Sequence, residues 1–207
     1  MIASPNPGKV FPKAFSSKIP NVLIHEIIDG RPYYRKGYRD VLAKTKTLDD
    51  IMGSSSLQCF IIEYFLRLLF VGLDPQKYRI ATNEAGLHLD RRNNLAGDIL
   101  IFDSQVLTID KIDKNYTKVP PKISIEIDLN IDLETTTENS YMNLKTRKLL
   151  DFGAEKVIWF LTEPKKVIVA TSDAEWLTLD WHNEVEILDG ITCNVGQYLK
   201  DNGSEFA

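Results

Sequence analysis

The stretch KISIEIDL, residues Lys122–Leu129, alternates strictly between polar and apolar side chains. Isoleucines take one set of alternate positions, and Ser124, Glu126 and Asp128 take the other. Because successive side chains of a β-strand point to opposite faces, this alternation predicts a strand with one apolar and one polar face. The polar face of this strand carries two carboxylates.

The neighbouring segments predict an α/β fold. Residues 98–102 predict a strand that begins with Asp98, and residues 138–152 predict a helix with Gly153 as its C-cap. The apolar run KVIWFL at residues 156–161 predicts a buried strand. A strand–helix–strand unit of this length implies a parallel pair of strands joined by a crossover. We therefore expect a mixed sheet with helices packed on it.

The N-terminal half adds a hairpin and a long helix. Residues 22–30 predict a strand that ends in an Asp-Gly turn, and residues 32–34 predict its partner. Residues 54–71 predict a largely buried helix, apolar nearly all round and capped by one of its first three serines. Farther along, two short strands are expected on either side of a turn at residues 83–86.

Length and composition indicate one globular domain. A chain of 207 residues can bury a core of its own, and its content of 43% hydrophobic and 26% charged residues excludes a disordered tail, a collagen-like fibre and a disulfide scaffold. We expect residues 1–20 to form an extended N-terminal arm and residues 21–207 to form a single domain.

A cytoplasmic protein is expected. No apolar run approaches the ~20 residues that a membrane span needs, and the first residues lack the apolar stretch of a signal peptide. Cys59 and Cys193 are far apart and have no metal-ligand spacing. The position of Cys59 in an apolar helical pattern predicts a buried free thiol, which suits a reducing compartment.

The net charge of −4 conceals a bipolar distribution. Residues 1–92 carry 14 Lys and Arg against 9 Asp and Glu, whereas residues 93–207 carry 11 against 20. One part of such a chain can contact phosphates while the other holds a cation.

The most basic segment, residues 31–46, also contains three tyrosines, which suits phosphate contact and base stacking. A solvated surface loop explains it equally well. Its candidate DNA contacts are Arg31, Arg35, Lys36 and Arg39.

Asp98, Glu126, Asp128 and Lys145 form a candidate catalytic site. If the strands of Asp98 and Glu126 are neighbours, both carboxylates reach one edge of the sheet. Carboxylates that share a site repel, and a bound Mg²⁺ or Mn²⁺ relieves this repulsion because these ions prefer oxygen ligands. The carbonyl of Ile127 can add an oxygen. A nearby lysine can position or deprotonate the attacking water and offset developing negative charge.

Structural explanations exist for the same residues. Asp98 can cap the end of a strand, Glu126 can form a structural ion pair with a lysine, and Asp128 can simply be exposed. Spacing alone does not separate these explanations from a nuclease site.

Five segments carry a resemblance to a known protein family. They are EIIDG at 26–30, NLAGDILI at 94–101, PKISIEI at 121–127, the helix that places Lys145 eight residues before Gly153, and KVIWFL at 156–161. In these segments the chain resembles the restriction-endonuclease-domain family of the PD-(D/E)XK nuclease superfamily. The resemblance extends over roughly residues 22–199.

This resemblance implies a restriction endonuclease-like fold, Mg²⁺ dependence and phosphodiester hydrolysis in DNA. It aligns Asp98 and Glu126 with the two motif acids and Lys145 with the lysine of the family's helix. The superfamily's lysine usually lies two residues after the second acid, where this chain has Asp128. The stretch between Glu126 and Lys145 also looks longer than usual. Lys148, on the same helical face, is therefore the alternative lysine.

Three functions remain open. The first is a Mg²⁺- or Mn²⁺-dependent endonuclease, for which a homodimer is a reasonable expectation if it cuts both DNA strands. The second is a catalytically silent nuclease-fold module that binds nucleic acid or protein, and the third is a metal-dependent hydrolase of small phosphorylated substrates. Metal dependence separates the first from the second. Steep salt dependence of DNA binding separates both from the third.

Overall fold

The structure, a computed structural model, describes residues 19–128, 131–133 and 136–207. The predicted N-terminal arm, residues 1–20, lies outside the described residues except for its last two. The single domain over residues 21–207 stays a prediction.

The described residues form ten strands and five α-helices, besides two short 3-10 helices. The strands are β1 (Ile24–Ile28), β2 (Arg31–Tyr34), β3 (Tyr78–Asp90), β4 (Asn93–Asp103), β5 (Ile123–Ile127), β6 (Lys156–Leu161), β7 (Lys166–Thr171), β8 (Leu177–Asp180), β9 (Val185–Leu188) and β10 (Ile191–Cys193). The α-helices are α1 (Tyr38–Leu42), α2 (Asp49–Met52), α3 (Ser56–Gly72), α4 (Glu138–Phe152) and α5 (Val195–Asp201).

Eight of these strands form one mixed sheet in the order β2-β1-β4-β5-β6-β7-β8, with β3 paired to β4. Only the β5–β6 pair is parallel within this described sheet, with Ile125 opposite Ile158, and α4 is the connection between the two strands. The other pairs are antiparallel, and β9 and β10 form a separate ribbon. An α/β fold with a mixed sheet flanked by helices is thereby confirmed.

The long helices cover opposite faces of the sheet. The three isoleucines of β5 are buried in one cluster with Phe65 and Leu69 of α3. Leu100 of β4 and Trp159 of β6 are buried in a second cluster with Tyr141 of α4. Because side chains alternate along a strand, the polar positions of β5 lie on the α4 face.

One helical stretch among the described residues, Asp49–Gly72, is long and apolar enough to cross a membrane by length and composition. The expectation that no apolar run approaches the length of a membrane span does not hold by this measure, although Glu63 and Arg67 lie within the stretch. This stretch includes α3, and Phe65 and Leu69 are completely buried in the core. Phe70 and Val71 near its end are exposed, so the helix that was predicted to be largely buried is buried on one side only.

Three local expectations were wrong. Cys59 is exposed, because an amphipathic helix on a sheet buries only one side. Residues 83–86 do not form a turn between two strands. Instead β3 continues through them with a register shift, and Asn83 and Glu84 have φ values of 68° and 52°. Asp98 does not begin β4, which starts five residues earlier at Asn93.

The N-cap of α3 gives a stability prediction. The hydroxyl of Ser55 accepts a hydrogen bond from the Gln58 N–H at 3.1 Å. We expect Ser55→Ala to lower the free energy of unfolding by about 1 kcal/mol, because a donor of the first turn loses its partner. The measurement is urea unfolding, and Ser56→Ala is the matched control, since Ser56 is exposed and is not the capping residue. Equal losses in the two variants would contradict the capping role.

Candidate functional site

The candidate site lies at the edge of β4 where its partner strand changes from β1 to β5. β3 pairs with β4 along one edge throughout their hairpin. On the opposite edge, β5 pairs with residues 99–101 and β1 pairs at Asn94. Residues 95–98 lie between these two pairings. Side chains from four other elements, β1, β5, α3 and α4, lie at this gap.

Charged side chains bond the backbone at the gap. The Ala96 N–H donates to Glu26 Oε1 at 2.9 Å, and the Ala96 carbonyl accepts from Lys145 Nζ at 2.7 Å. Across the gap, the Ile127 N–H donates to Asp98 Oδ2 at 2.7 Å. A buried backbone group without a partner costs about 1–3 kcal/mol. These side chains therefore hold the strands in place where the ladder is interrupted.

Lys145 enters the gap from α4 and contacts two carboxylates. Its Nζ lies 2.8 Å from Glu26 Oε1 and 2.9 Å from Glu126 Oε2, and its side chain is only 4% exposed. Burial alone lowers the pKa of Lys145, but the two carboxylates together raise it well above its usual value. The lysine is thus protonated at neutral pH. It fits charge stabilisation and not proton abstraction.

Asp98 and Glu126 face each other beyond the last paired residues of β4 and β5, Ile99 and Ile125. Burial raises the pKa of Asp98 to about 6 and that of Glu126 to about 7. Burial also raises the pKa of Glu26, but the charge of Lys145 and other contacts bring it below its usual value. The gap therefore holds three carboxyl groups around one ammonium group.

Gln58, in the first turn of α3, connects Asp98 to Ile127. Its Nε2 donates to the Ile127 carbonyl at 3.2 Å and lies 3.4 Å from Asp98 Oδ1. Two oxygen acceptors thus converge on one polar donor. Gln58 was not among the predicted site residues, and its sequence signal was a polar residue in the first turn of a mostly apolar helix.

Sequence reasoning gave no site role to three further residues. Glu26 accepts from the Tyr141 hydroxyl at 2.5 Å and anchors Lys145. His25 lines a small pocket at the gap together with Asp98, Glu126 and Lys145, and its Nδ1 has no hydrogen-bond partner in the described part of the chain. Burial lowers the pKa of His25, so its ring is neutral at pH 7. The signal for Glu26 was a carboxylate inside an apolar strand.

Asp128 and Lys148 have other partners. Asp128 borders the pocket, but its φ is 58° and its carboxylate accepts from the N–H and hydroxyl of Thr162, both at 2.7 Å. Lys148 Nζ lies 2.6 Å from Asp29 Oδ1 at the β1–β2 turn. The structure thus brings Lys145, and not Lys148, to Glu126. Asp128 does not continue the polar face of β5, because the strand ends at Ile127.

The basic segment is divided between structural and exposed cations. Arg35 bonds Glu84 through both terminal nitrogens, at 3.2 and 3.0 Å. Arg39 lies over the Tyr38 ring and 3.7 Å from Asp132. Both belong to the packing of this region. Two of the candidate DNA contacts, Arg31 and Lys36, are exposed.

Comparisons with known proteins bear on the fold. No family model and no curated protein matches this chain. A crystal structure from Anabaena variabilis, described as a "putative nuclease belonging to DUF820", matches with a TM-score of 0.60 at 12% identity. The match covers 84% of this chain and 89% of that chain. The fold is nuclease-like. The predicted restriction endonuclease-like architecture is confirmed at the level of fold.

The carboxyl groups of the site predict how stability depends on pH. The pKa of Glu126 is about 7 in the folded chain against 4.5 ordinarily, so the native state holds a proton that the unfolded chain has released between these values. With EDTA present, the contribution of Glu126 to the free energy of unfolding should be fully present below pH 4.5 and fall by up to about 3 kcal/mol as pH rises through 7. Asp98 contributes in the same direction between pH 3.8 and about 6.

Urea unfolding at a series of pH values measures this effect. Glu126→Gln removes the titrating group while keeping the shape of the side chain, so its curve should be flatter than that of the wild type. Identical pH curves for the two proteins would show that Glu126 is ionised in the native state throughout this range.

Proposed function

We propose that the chain is a metal-dependent endonuclease that hydrolyses DNA phosphodiester bonds through a PD-(D/E)XK-type site. The observation that carries this proposal is the convergence of Asp98, Glu126 and Lys145 in one buried gap of a nuclease-like fold. In phosphodiester hydrolysis, two acids can hold a divalent metal ion, and a cationic side chain can offset the negative charge that develops on the phosphoryl group.

Asp98, Glu126 and the Ile127 carbonyl would hold Mg²⁺ or Mn²⁺. The fit rests on Asp98 Oδ1 and the Ile127 oxygen, which already converge on one polar donor, Gln58 Nε2. No three His, Cys, Asp or Glu side chains converge as a metal cluster within the described ranges. Two carboxylates and a carbonyl suit Mg²⁺, which keeps several waters and often binds through one or two carboxylates. When bound, such an ion polarises phosphoryl oxygens and activates water.

The remaining residues have positioning and electrostatic roles in this proposal. The protonated Lys145 offsets negative charge that develops on the phosphoryl group. Glu26 fixes the ammonium group through its 2.8 Å ion pair, and Tyr141 in turn holds Glu26. Lys145 is therefore locked by its surroundings, which a catalytic electrostatic group requires.

The test is nicking of supercoiled plasmid in Mg²⁺, in Mn²⁺ and in EDTA. We expect wild-type nicking to need the metal, Asp98→Asn and Glu126→Gln to abolish it, and Lys145→Met to lower the rate by about 100- to 1,000-fold. Lys148→Met is the matched control, because Lys148 lies on the same helix and contacts Asp29 instead. Its nicking rate should equal that of the wild type.

A second readout separates metal binding from cleavage. Calorimetric titration with Mn²⁺ should show weaker binding to Glu126→Gln and unchanged binding to Lys148→Met. Equal binding to both variants would remove Glu126 from the metal site. A wild-type protein that binds Mn²⁺ but nicks no DNA would instead be the catalytically silent module.

Exposed cations of the basic segment are proposed DNA contacts. Replacing Arg31 and Lys36 together with alanine should weaken duplex DNA binding and reduce the slope of log K against log salt by about 0.9 for each lost phosphate contact. Arg35→Ala should instead lower the melting temperature, because Glu84 loses its partner. Anisotropy titrations at several salt concentrations measure the slope, and an unchanged slope would exclude Arg31 and Lys36.

A further inference from the structure

A second cleft lies beside the β3–β4 hairpin. It has a volume of about 700 Å³ and is formed by the hairpin and by the loop that follows β4. His88 and Asn94 come from the strands, whereas Tyr116 and Lys118 come from the loop. A shallower extension of the cleft continues from His88 and Lys118 to Arg91 at the hairpin turn.

Backbone hydrogen bonds fix the loop to the sheet. The Thr117 N–H donates to the Gly86 carbonyl at 3.1 Å, and the His88 N–H donates to the Thr117 carbonyl at 2.8 Å. Inside the cleft, His88 Nδ1 and Asn94 Oδ1 are 2.6 Å apart. His88 is thus held by Asn94 on the neighbouring strand. The loop segment that carries Tyr116 and Lys118 is thus held to β3 through both backbone groups of Thr117.

Tyr116 is an exposed ring held on a glycine. A Cβ atom on Gly86 would lie only 2.3 Å from the ring, so this close approach requires glycine. Despite this contact, Tyr116 is 55% exposed. A fixed, exposed tyrosine ring provides a stacking surface for a nucleobase. A base can stack on a side chain only when it is unpaired or displaced from the duplex.

Positive charge lines the cleft and its extension. Four cations line the cleft and its extension, namely Lys111, Lys118, Arg91 and Arg92, against two carboxylates, Asp90 and Asp113. The oxygens of Asp90 accept from the Arg92 N–H and the Asn93 amide, and those of Asp113 accept from Asn115. The cleft is thus locally basic in a chain whose net charge is −4. Local positive charge beside an aromatic ring suits a phosphate backbone.

We propose that this cleft binds an unpaired nucleotide of single-stranded nucleic acid, with the base on Tyr116 and phosphates on Lys118 and Arg91. Asn94 lies four residues before Asp98 on β4, a separation of about 13 Å along a strand. The cleft and the gap that holds Asp98 thus border the same strand. This inference deepens the proposed nuclease function, on which it rests, by naming single strands as the substrate class.

The experiment measures anisotropy of a short labelled single-stranded DNA, an RNA of the same sequence, and the DNA duplex. EDTA and the Glu126→Gln background prevent cleavage. Single strands should bind more tightly than the duplex, and the DNA and RNA arms distinguish the two sources of the same chemistry. Tyr116→Ala should weaken single-strand binding by about 5- to 150-fold, whereas Tyr116→Phe, which keeps the ring, should bind like the parent.

Two further variants test the cleft without replacing Tyr116, so that a folding defect of Tyr116→Ala cannot by itself account for the result. Gly86→Ala should displace the ring and weaken single-strand binding while Tyr116 itself is kept. Replacing Lys118 and Arg91 with alanine should reduce the salt slope by about 0.7 for each contact. Lys77→Ala with Lys200→Ala is the charge-matched control, since both lysines are exposed and neither lines the cleft.

Two outcomes would overturn the inference: tighter binding of the duplex, or equal single-strand binding by the Tyr116→Ala variant and its parent. Plasmid nicking by the wild type together with unchanged binding by Tyr116→Ala would reject this cleft and leave the nuclease proposal standing. Cleft-dependent binding without cleavage of plasmid or of single strands in any metal would reject the nuclease proposal, and with it single strands as its substrate, while leaving the cleft supported as a binding site.

Discussion

The interruption in the β4 edge is the constraint on which the site depends. β4 has β3 on one edge, and β5 and β1 share the other edge at different heights. Backbone groups between two such partners are buried and need hydrogen bonds. Glu26 and Lys145 bond Ala96, and Asp98 bonds Ile127 across the opening. The polar centre of the molecule thus originates in the way that its strands are paired.

The same geometry explains why the lysine comes from a helix. Position 128, two residues after Glu126, carries Asp128 and not a lysine. β5 ends at Ile127, and Asp128 has a φ of 58° and bonds Thr162. A side chain at that position is therefore committed to the neighbouring strand end. α4 packs on the polar face of β5, and the ammonium group of its Lys145 reaches Glu126 from that face of the sheet.

Local periodicity predicted much of the fold. The alternation in residues 122–129 predicted β5 and its polar face, although it wrongly extended that face to Asp128. The helical spacing with Gly153 as C-cap gave α4 its bounds. These elements follow period 2 or 3.6, which the sequence displays directly. The supposed turn at residues 83–86 was a bulge, since residues with positive φ occur in both.

Long-range partners could not be predicted in this way. Glu26 meets Ala96 only after β1 has paired with β4. Gln58 meets Asp98 only after α3 has packed on the sheet. Arg35 likewise looked like a free surface cation, because Glu84 is 49 residues away in sequence. Among the acids, Asp98 and Glu126 were accessible to prediction because they lie on strands that follow one another, and consecutive strands often pair. Tertiary pairing, and not local pattern, decided the remaining contacts.

Because Glu26, Lys145 and Asp98 bond backbone groups, the fold needs them whether or not the protein cleaves anything. A descendant that lost catalysis would still be selected to keep all three, since their loss leaves buried groups unsatisfied. Glu126 differs, because its described side-chain bonds go only to Ser124 and Lys145 and to no backbone atom. Across an evolutionary lineage of this fold, drift at Glu126 beside retention of the other three would separate a functional demand on Glu126 from the demands of the fold.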